Sequence, residues 1–268
     1  MVFGRRGDDL LIGVPRAALR PSPVFLAVVA VFVASGWMAW TGYGSTNLDV
    51  FLFVVSGWVA SLCLHEYAHA VFAFRAGDVD VARRGYLTLN PLKYANPVLS
   101  IVLPVVFIIL GGIALPGGAV WVNHGAIRGR LKESLISLAG PAINVLFAIA
   151  LLARFATGTT VVDHHDFWAA VSLLAFFQLT AAVLNLLPIP GVDGGNAVRP
   201  WLSYEYRRAF DAVAPYGMLL LFALLWTPRI NALFFQGLIV PVGGALGLSG
   251  DLVRSGFDLF RFWTGTGI

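Results

Sequence analysis

His65-Glu66-Tyr67-Ala68-His69 places two imidazoles four residues apart with a carboxylate between them, inside an otherwise apolar stretch from Val50 to Phe74. On a helix, residues i and i+4 share a face, so both imidazoles can point at one ion. Glu66 then stands beside them, where a zinc-dependent hydrolase needs its general base. The chain has five His in 268 residues, and a random arrangement would produce this pattern on the order of once in a thousand such chains. Two His and a Glu within one turn of a membrane helix are costly without a partner, roughly 2.5 to 3.5 kcal/mol for a single central charge. That cost favours a metal site over a set of satisfied core residues.

Positioning such a site requires membrane helices, and the composition supplies them. Hydrophobic residues make up 58% of the chain and charged residues 12%. Apolar runs of about 20 residues, enough to cross a bilayer at about 1.5 Å per residue, recur along it. An ordinary soluble domain is excluded, and the expected class is an all-α polytopic membrane protein forming one integral membrane domain over residues 1–268, with no internal repeat. Cys63 is the single cysteine, which rules out an internal disulfide and a thiolate-rich metal site; it reads as a small apolar packing residue. The hydrophobic run after the first twenty residues is too long for a cleaved signal segment, so the amino terminus is expected to be retained.

Six spans are read at Val24–Trp40, Val50–Phe74, Ser134–Ala153, Phe167–Leu187, Asp211–Trp226 and Ile230–Leu246. The stretch Asn96–Val122 is apolar too, but it contains Pro104, Gly111, Gly112, Pro116, Gly117 and Gly118. Counted as a kinked seventh helix, it would put Arg128, Arg130 and Lys132 on the far side of the membrane. Read as a re-entrant hairpin, it leaves both termini in the cytoplasm, with sixteen of the eighteen Lys and Arg inside and only Arg154 and Arg229 outside, as the positive-inside rule requires. Non-helical backbone at that depth must lie against protein or a wet cavity, so the hairpin is expected to line the active site. His69 and His65 would then lie roughly 8 to 14 Å from the cytoplasmic end of their helix. The formal charge of +4 is thereby assigned to orientation and to anionic lipid head groups, not to nucleic acid.

A hydrolytic zinc site takes three protein ligands and keeps a fourth position for water. The third donor could be His124, His164, His165 or Asp193. The pair His164-His165 falls in an outer loop. Asp193 follows Asn185-Leu186-Leu187-Pro188-Ile189-Pro190-Gly191-Val192, where two prolines break the helix and an unwound turn can direct a carboxylate back into the membrane. A turn-capping role for Asp193 is the other reading from spacing alone.

His65-Glu66-Tyr67-Ala68-His69 followed by Asn185-Leu186-Leu187-Pro188-Ile189-Pro190-Gly191-Val192-Asp193-Gly194 resembles the site-2 protease family of intramembrane zinc metalloproteases, whose motifs are HExxH and NxxPxxxxDG. Gly85-Tyr86-Leu87-Thr88-Leu89-Asn90-Pro91 and Gly140-Pro141-Ala142-Ile143-Asn144 are also similar to segments of bacterial members. The similarity runs from about Val50 to Pro200 and looks like the compact branch without PDZ or CBS domains, although Asn96-Pro97 stands where that branch often has Asp-Pro.

The resemblance implies a catalytic core at about residues 50–200. It implies one zinc per chain on His65, His69 and Asp193, with Glu66 as general base. It also implies that Asn185 acts on the oxyanion or substrate backbone, beside the plain alternative of an interhelical hydrogen bond. The expected reaction is hydrolysis of peptide bonds within or near transmembrane segments of membrane proteins by a zinc-activated water. The expected location is the bacterial plasma membrane.

Asn144, Gln178 and Thr180 read as polar glue between helices. Tyr86–Leu89 reads as a short β segment near the active site, either pairing with an unwound substrate or covering the metal. The rival functions are an ion or metal transporter, which would predict inverted repeats, and a catalytically silent scaffold, which would have no need of Glu66. A prenyl-protein type of protease would need a Glu as third ligand, and only Glu133 and Glu205 remain, both expected in loops.

Overall fold

The computed structural model describes residues 20–94, 102, 105–106, 109, 120–155 and 163–264, and helix is the only regular structure among them. α1 (Pro23–Thr41) starts where Ser22 Oγ accepts the Phe25 N–H at 3.1 Å, with Pro23 in the first turn, where a missing N–H costs nothing. α2 (Thr46–Ala76) carries the His-Glu-His motif and stops at Gly77, whose N–H reaches the carbonyls of Ala73 and Phe74. α3 (Arg130–Leu152) and α4 (His165–Leu186) pack on α2 and on each other.

These four helices and Tyr204–Trp226 are each long and apolar enough to cross a membrane. Their apolar windows differ in burial, 67% in α2 and 78% in α4 against 17% in α1. α2 and α4 therefore form the centre of the bundle, while α1 turns its apolar surface outward.

The fifth span begins seven residues before the expected Asp211. It comprises the amphipathic α6 (Tyr204–Val213), a turn at Ala214–Tyr216 and α7 (Gly217–Trp226), after the short α5 (Asp193–Val198). The expected span Ile230–Leu246 is met by the helical run Pro228–Ala245, which contains a π-helical turn and is followed by a sharp bend. α8 (Pro228–Phe234), a π-helical turn (Phe235–Ile239) and α9 (Val240–Ala245) lead to α10 (Gly250–Phe260) at 109°. Pro241 removes a backbone donor just after the widened turn, and Ser249 Oγ, accepting from the Leu252 N–H, starts a new helix. α10 returns to pack on α4 and α2.

Two apolar clusters hold α2 along its length. Around its first half, Val50, Phe53, Trp58 and Leu62 meet Leu174 and Phe177 of α4 and Phe260 of α10. Around the histidine-bearing half, Cys63, Ala70 and Ala73 pack with Tyr86, Leu87, Tyr94, Ile127 and Ile136. Cys63 is a packing residue, as expected.

The expected β segment is absent. Tyr86–Thr88 is a buried 3-10 turn, with positive φ at both Gly85 (78°) and Leu89 (56°). The Thr88 hydroxyl donates to the Gly85 carbonyl at 2.6 Å, and the Thr88 carbonyl accepts from Ser22 N–H at 2.7 Å. A curled, internally bonded segment has no edge to offer a substrate. Most of Asn96–Val122, the stretch expected to form a re-entrant hairpin, lies outside the described residues, as do the amino-terminal nineteen.

Candidate metal centre

α2 ends at Ala76, so His69 and His65 lie about 10 and 16 Å along the helix axis from its end. Both are buried, at 7% and 3% exposure, as is Glu66 at 2%. The helix turns both imidazoles toward α3, where Ile136, Gly140 and Asn144 follow one another at i, i+4 spacing down the facing stripe. His69 Nδ1 stands 2.6 Å from the Ile136 carbonyl and His65 Nδ1 stands 2.5 Å from Asn144 Oδ1. A carbonyl only accepts, so His69 Nδ1 carries its proton and Nε2 is left to face the centre.

The third group arrives from the far end of α4. Leu187 precedes Pro188 and takes the extended conformation (ψ 139°) that a proline imposes on its predecessor, which ends the helix. The chain then turns through Gly191, whose φ of 90° and packing against the Ala214 carbonyl leave no room for a side chain. Asp193 opens α5 and directs Oδ2 to 3.1 Å from His65 Nε2 and 3.4 Å from His69 Nε2. The two Nε2 atoms are 3.0 Å apart.

His65, His69 and Asp193 offer ligand atoms within 4.8 Å of one another, the one such group among the described residues. Two imidazole nitrogens and a carboxylate oxygen facing each other need a positive charge between them. The room for an ion is provided by Gly140. A Cβ there would collide with His69 Nε2 and stand 2.5 Å from His65 Nε2. The donor set and the space together fit a zinc ion with a fourth position open.

Glu66 Oε2 accepts the Val120 N–H at 3.0 Å. The carboxylate lies in the wall of a cavity of about 460 Å³ that contains the two histidines, Asp193 and Asn185 and continues to Glu133, Arg199 and Asp211. The cavity runs outward from the buried centre to the exposed Asp211, whose carboxylate the Arg199 guanidinium clasps.

The other candidates fall elsewhere. His164 and His165 lie at the opposite end of α4 from Asn185, with His164 stacked on Trp40 at 3.7 Å. The backbone of His124 sits in a 3-10 turn between Val122 and Arg130. Glu133 is in the first turn of α3 and lines the cavity rather than lying in a loop, yet it is not part of the metal group; Glu205 is in the first turn of α6.

Asn144 links helices as expected, bonding Gln178 on α4 and, on α2, one of the two histidines themselves. Its spacing of four from Gly140 matches the spacing of the histidines, a signal that was available in the sequence. Thr180 bonds the Phe176 carbonyl of its own helix at 2.8 Å and has no hydrogen bond across the bundle among the described residues.

The chain is 46% identical over 257 residues to the protein named "Putative zinc metalloprotease Rip2" of Mycolicibacterium smegmatis, covering 93% of this chain and 96% of that protein. Its identity to Rip2 of Mycobacterium tuberculosis is 44% with the same coverage. It is 29% to the similarly named YwhC of Bacillus subtilis, across 68% of this chain and 83% of that protein. No protein-family model and no solved structure matches the chain.

Proposed function

The chain belongs to the site-2 protease family of zinc metalloproteases, and from that premise we propose that His65, His69 and Asp193 hold the zinc, that Glu66 is the general base and that Asn185 contacts the substrate. The protein is an intramembrane zinc metalloprotease acting on proteins; the transporter and scaffold readings are not favoured. The observation that carries the residue assignment is the meeting of two motifs 128 residues apart in sequence, His65 and Asp193, across a space kept open by Gly140.

Zinc, when bound, supplies a Lewis acid that lowers the pKa of a water toward about 7 and polarises the scissile carbonyl. Glu66 takes a proton from the attacking water and returns it to the departing amide nitrogen. The Val120 N–H on Oε2 holds the carboxylate in place and leaves its other oxygen for this exchange. Asn185 is 5% exposed and lines the same cavity, which supports a role in donating its amide to the developing oxyanion or to substrate backbone. The polar outer cavity, through Glu133, Arg199 and Asp211, gives water a route to a site otherwise walled by apolar side chains.

The substrates are read as membrane proteins cut within or near a transmembrane segment, which the depth of the histidines in a central helix supports. The protein is read as one domain of the bacterial plasma membrane with both termini cytoplasmic, in contact with anionic lipid; this orientation is the one that the positive-inside rule favours under the six-span reading with a re-entrant hairpin.

Detergent-purified protein is expected to hold one zinc per chain by metal analysis. Asp193→Ala removes a direct ligand and leaves two imidazoles, so it should loosen the zinc by more than the roughly 100-fold that loss of an outer-shell partner costs, measured in chelator competition. Unchanged zinc affinity in that variant would remove Asp193 from the centre. Asn185→Ala should keep zinc and lower kcat about 10²-fold, the effect of losing one oxyanion donor. A rate equal to wild type would leave Asn185 as a packing residue.

A further inference from the structure

We propose that Gln178 and Ser61 are positioning residues for the zinc centre: a one-way chain of hydrogen bonds from the Trp58 carbonyl sets the Asn144 amide and, through it, the His65 tautomer that presents Nε2 to the metal. This rests on the reading of His65 as a zinc ligand.

The chain crosses all three central helices. Ser61 Oγ on α2 lies 2.8 Å from the Trp58 carbonyl, Gln178 Nε2 on α4 lies 2.7 Å from Ser61 Oγ, and Asn144 Nδ2 on α3 lies 2.7 Å from Gln178 Oε1. Its last link is Asn144 Oδ1 to His65 Nδ1. Ser61 and Gln178 are fully buried and Asn144 is 1% exposed, so water does not compete for these groups.

The direction of every bond follows from the first. A backbone carbonyl cannot donate, so the Ser61 hydroxyl spends its only proton on Trp58. Ser61 can then only accept from Gln178, which must turn its NH2 toward Ser61 and its oxygen toward Asn144. Asn144 must likewise donate to Gln178, leaving its oxygen for His65. His65 then carries its proton on Nδ1, and Nε2 keeps the lone pair a metal needs.

A reversed Asn144 amide would put two donors against His65 Nδ1 and favour the other tautomer, with a proton on Nε2 where the ion belongs. His69 needs no such chain, because its Nδ1 meets the Ile136 carbonyl directly. The two histidines thus reach the same tautomer by different means, one from a fixed carbonyl and one from an amide that could turn either way. Gln178 and Ser61 remove that ambiguity. Glue between helices would need hydrogen bonds but not this order.

The test is zinc affinity of folded, monodisperse protein in detergent, measured by chelator competition. Gln178→Met, similar in size and unable to hydrogen-bond through its thioether in this way, is expected to weaken zinc about 10-fold. Ser61→Ala, which removes one oxygen and guards against misfolding of the first variant, should weaken it in the same direction. Asn144→Asp supplies a carboxylate that accepts from His65 Nδ1 whatever its neighbours do, so in that background Gln178→Met should no longer change zinc affinity.

A purely structural role predicts lower thermal stability with wild-type zinc affinity in both Gln178→Met and Ser61→Ala, and that result overturns the proposal. An equal loss from Gln178→Met with and without Asn144→Asp overturns it too. If Asp193→Ala loosens zinc while Gln178→Met and Ser61→Ala do not, only the relay fails. If Asp193→Ala also leaves zinc unchanged, the metal assignment itself fails.

Discussion

Glu66→Gln is expected to abolish proteolysis while zinc stays bound at one ion per chain. The substitution preserves size, and the Gln carbonyl can still accept the Val120 N–H that holds the native carboxylate. What it loses is basicity: a neutral amide neither takes a proton from water nor returns one to the leaving nitrogen. General acid–base catalysis contributes about 10² to 10⁴-fold, and here both proton transfers depend on one side chain, so the loss should reach the upper end of that range. The measurement is the cleavage rate of a single-span membrane protein in detergent, paired with metal analysis of the same sample. Cleavage at the wild-type rate would refute the mechanism, and loss of zinc together with activity would place Glu66 among the ligands. The inactive, metal-loaded variant also offers a trap for substrates.

Gly140→Ala should empty the centre without removing any ligand. The added methyl group would occupy the space between the two Nε2 atoms, colliding with His69 and standing 2.5 Å from His65. Neither imidazole can retreat cheaply, since His69 is tied to Ile136 and His65 to Asn144 from behind. Asp193→Ala leaves a two-histidine site that still attracts zinc, whereas the alanine at 140 blocks all three donors at once. Overpacking a fitted interior costs about 1 to 3 kcal/mol, so the protein should still fold. Zinc analysis of the folded variant decides the matter. Full occupancy would mean that the ion sits away from Gly140 and that the three donors do not converge on the space this glycine leaves.

Much of this site is legible in the chain because its chemistry is local. His65 and His69 face one way by helix periodicity alone, and Pro188 predicts the break that frees Asp193 to turn back. The apolar runs announce the membrane class, and the spans of α1 to α4 begin and end within a few residues of expectation, as bilayer thickness dictates. The errors arise where distant parts of the chain intervene. Tyr86–Leu89 has the alternation of a strand, but Gly85 and Leu89 adopt left-handed backbone and the Ser22 N–H takes the Thr88 carbonyl, so the segment curls into the core. Ile230–Leu246 forms the helical run Pro228–Ala245, but the 109° bend after it, which lets α10 pack back on α4, is not written in the apolar run itself. Asn144 and Gln178 do link helices as expected, but that the link ends on His65 is visible only once the helices are packed.

The class of molecule and the facing of His65 and His69 with Glu66 beside them were readable from the chain, because composition and i, i+4 spacing act within one helix. The motif resemblance already named Asp193; three things waited on the folded molecule: that its carboxylate meets both histidines, that Gly140 keeps the space between them, and that Asn144 stands behind His65. Each of those depends on α2, α3 and the turn after α4 meeting at one depth, and the packing of three helices is a long-range property that no local spacing encodes.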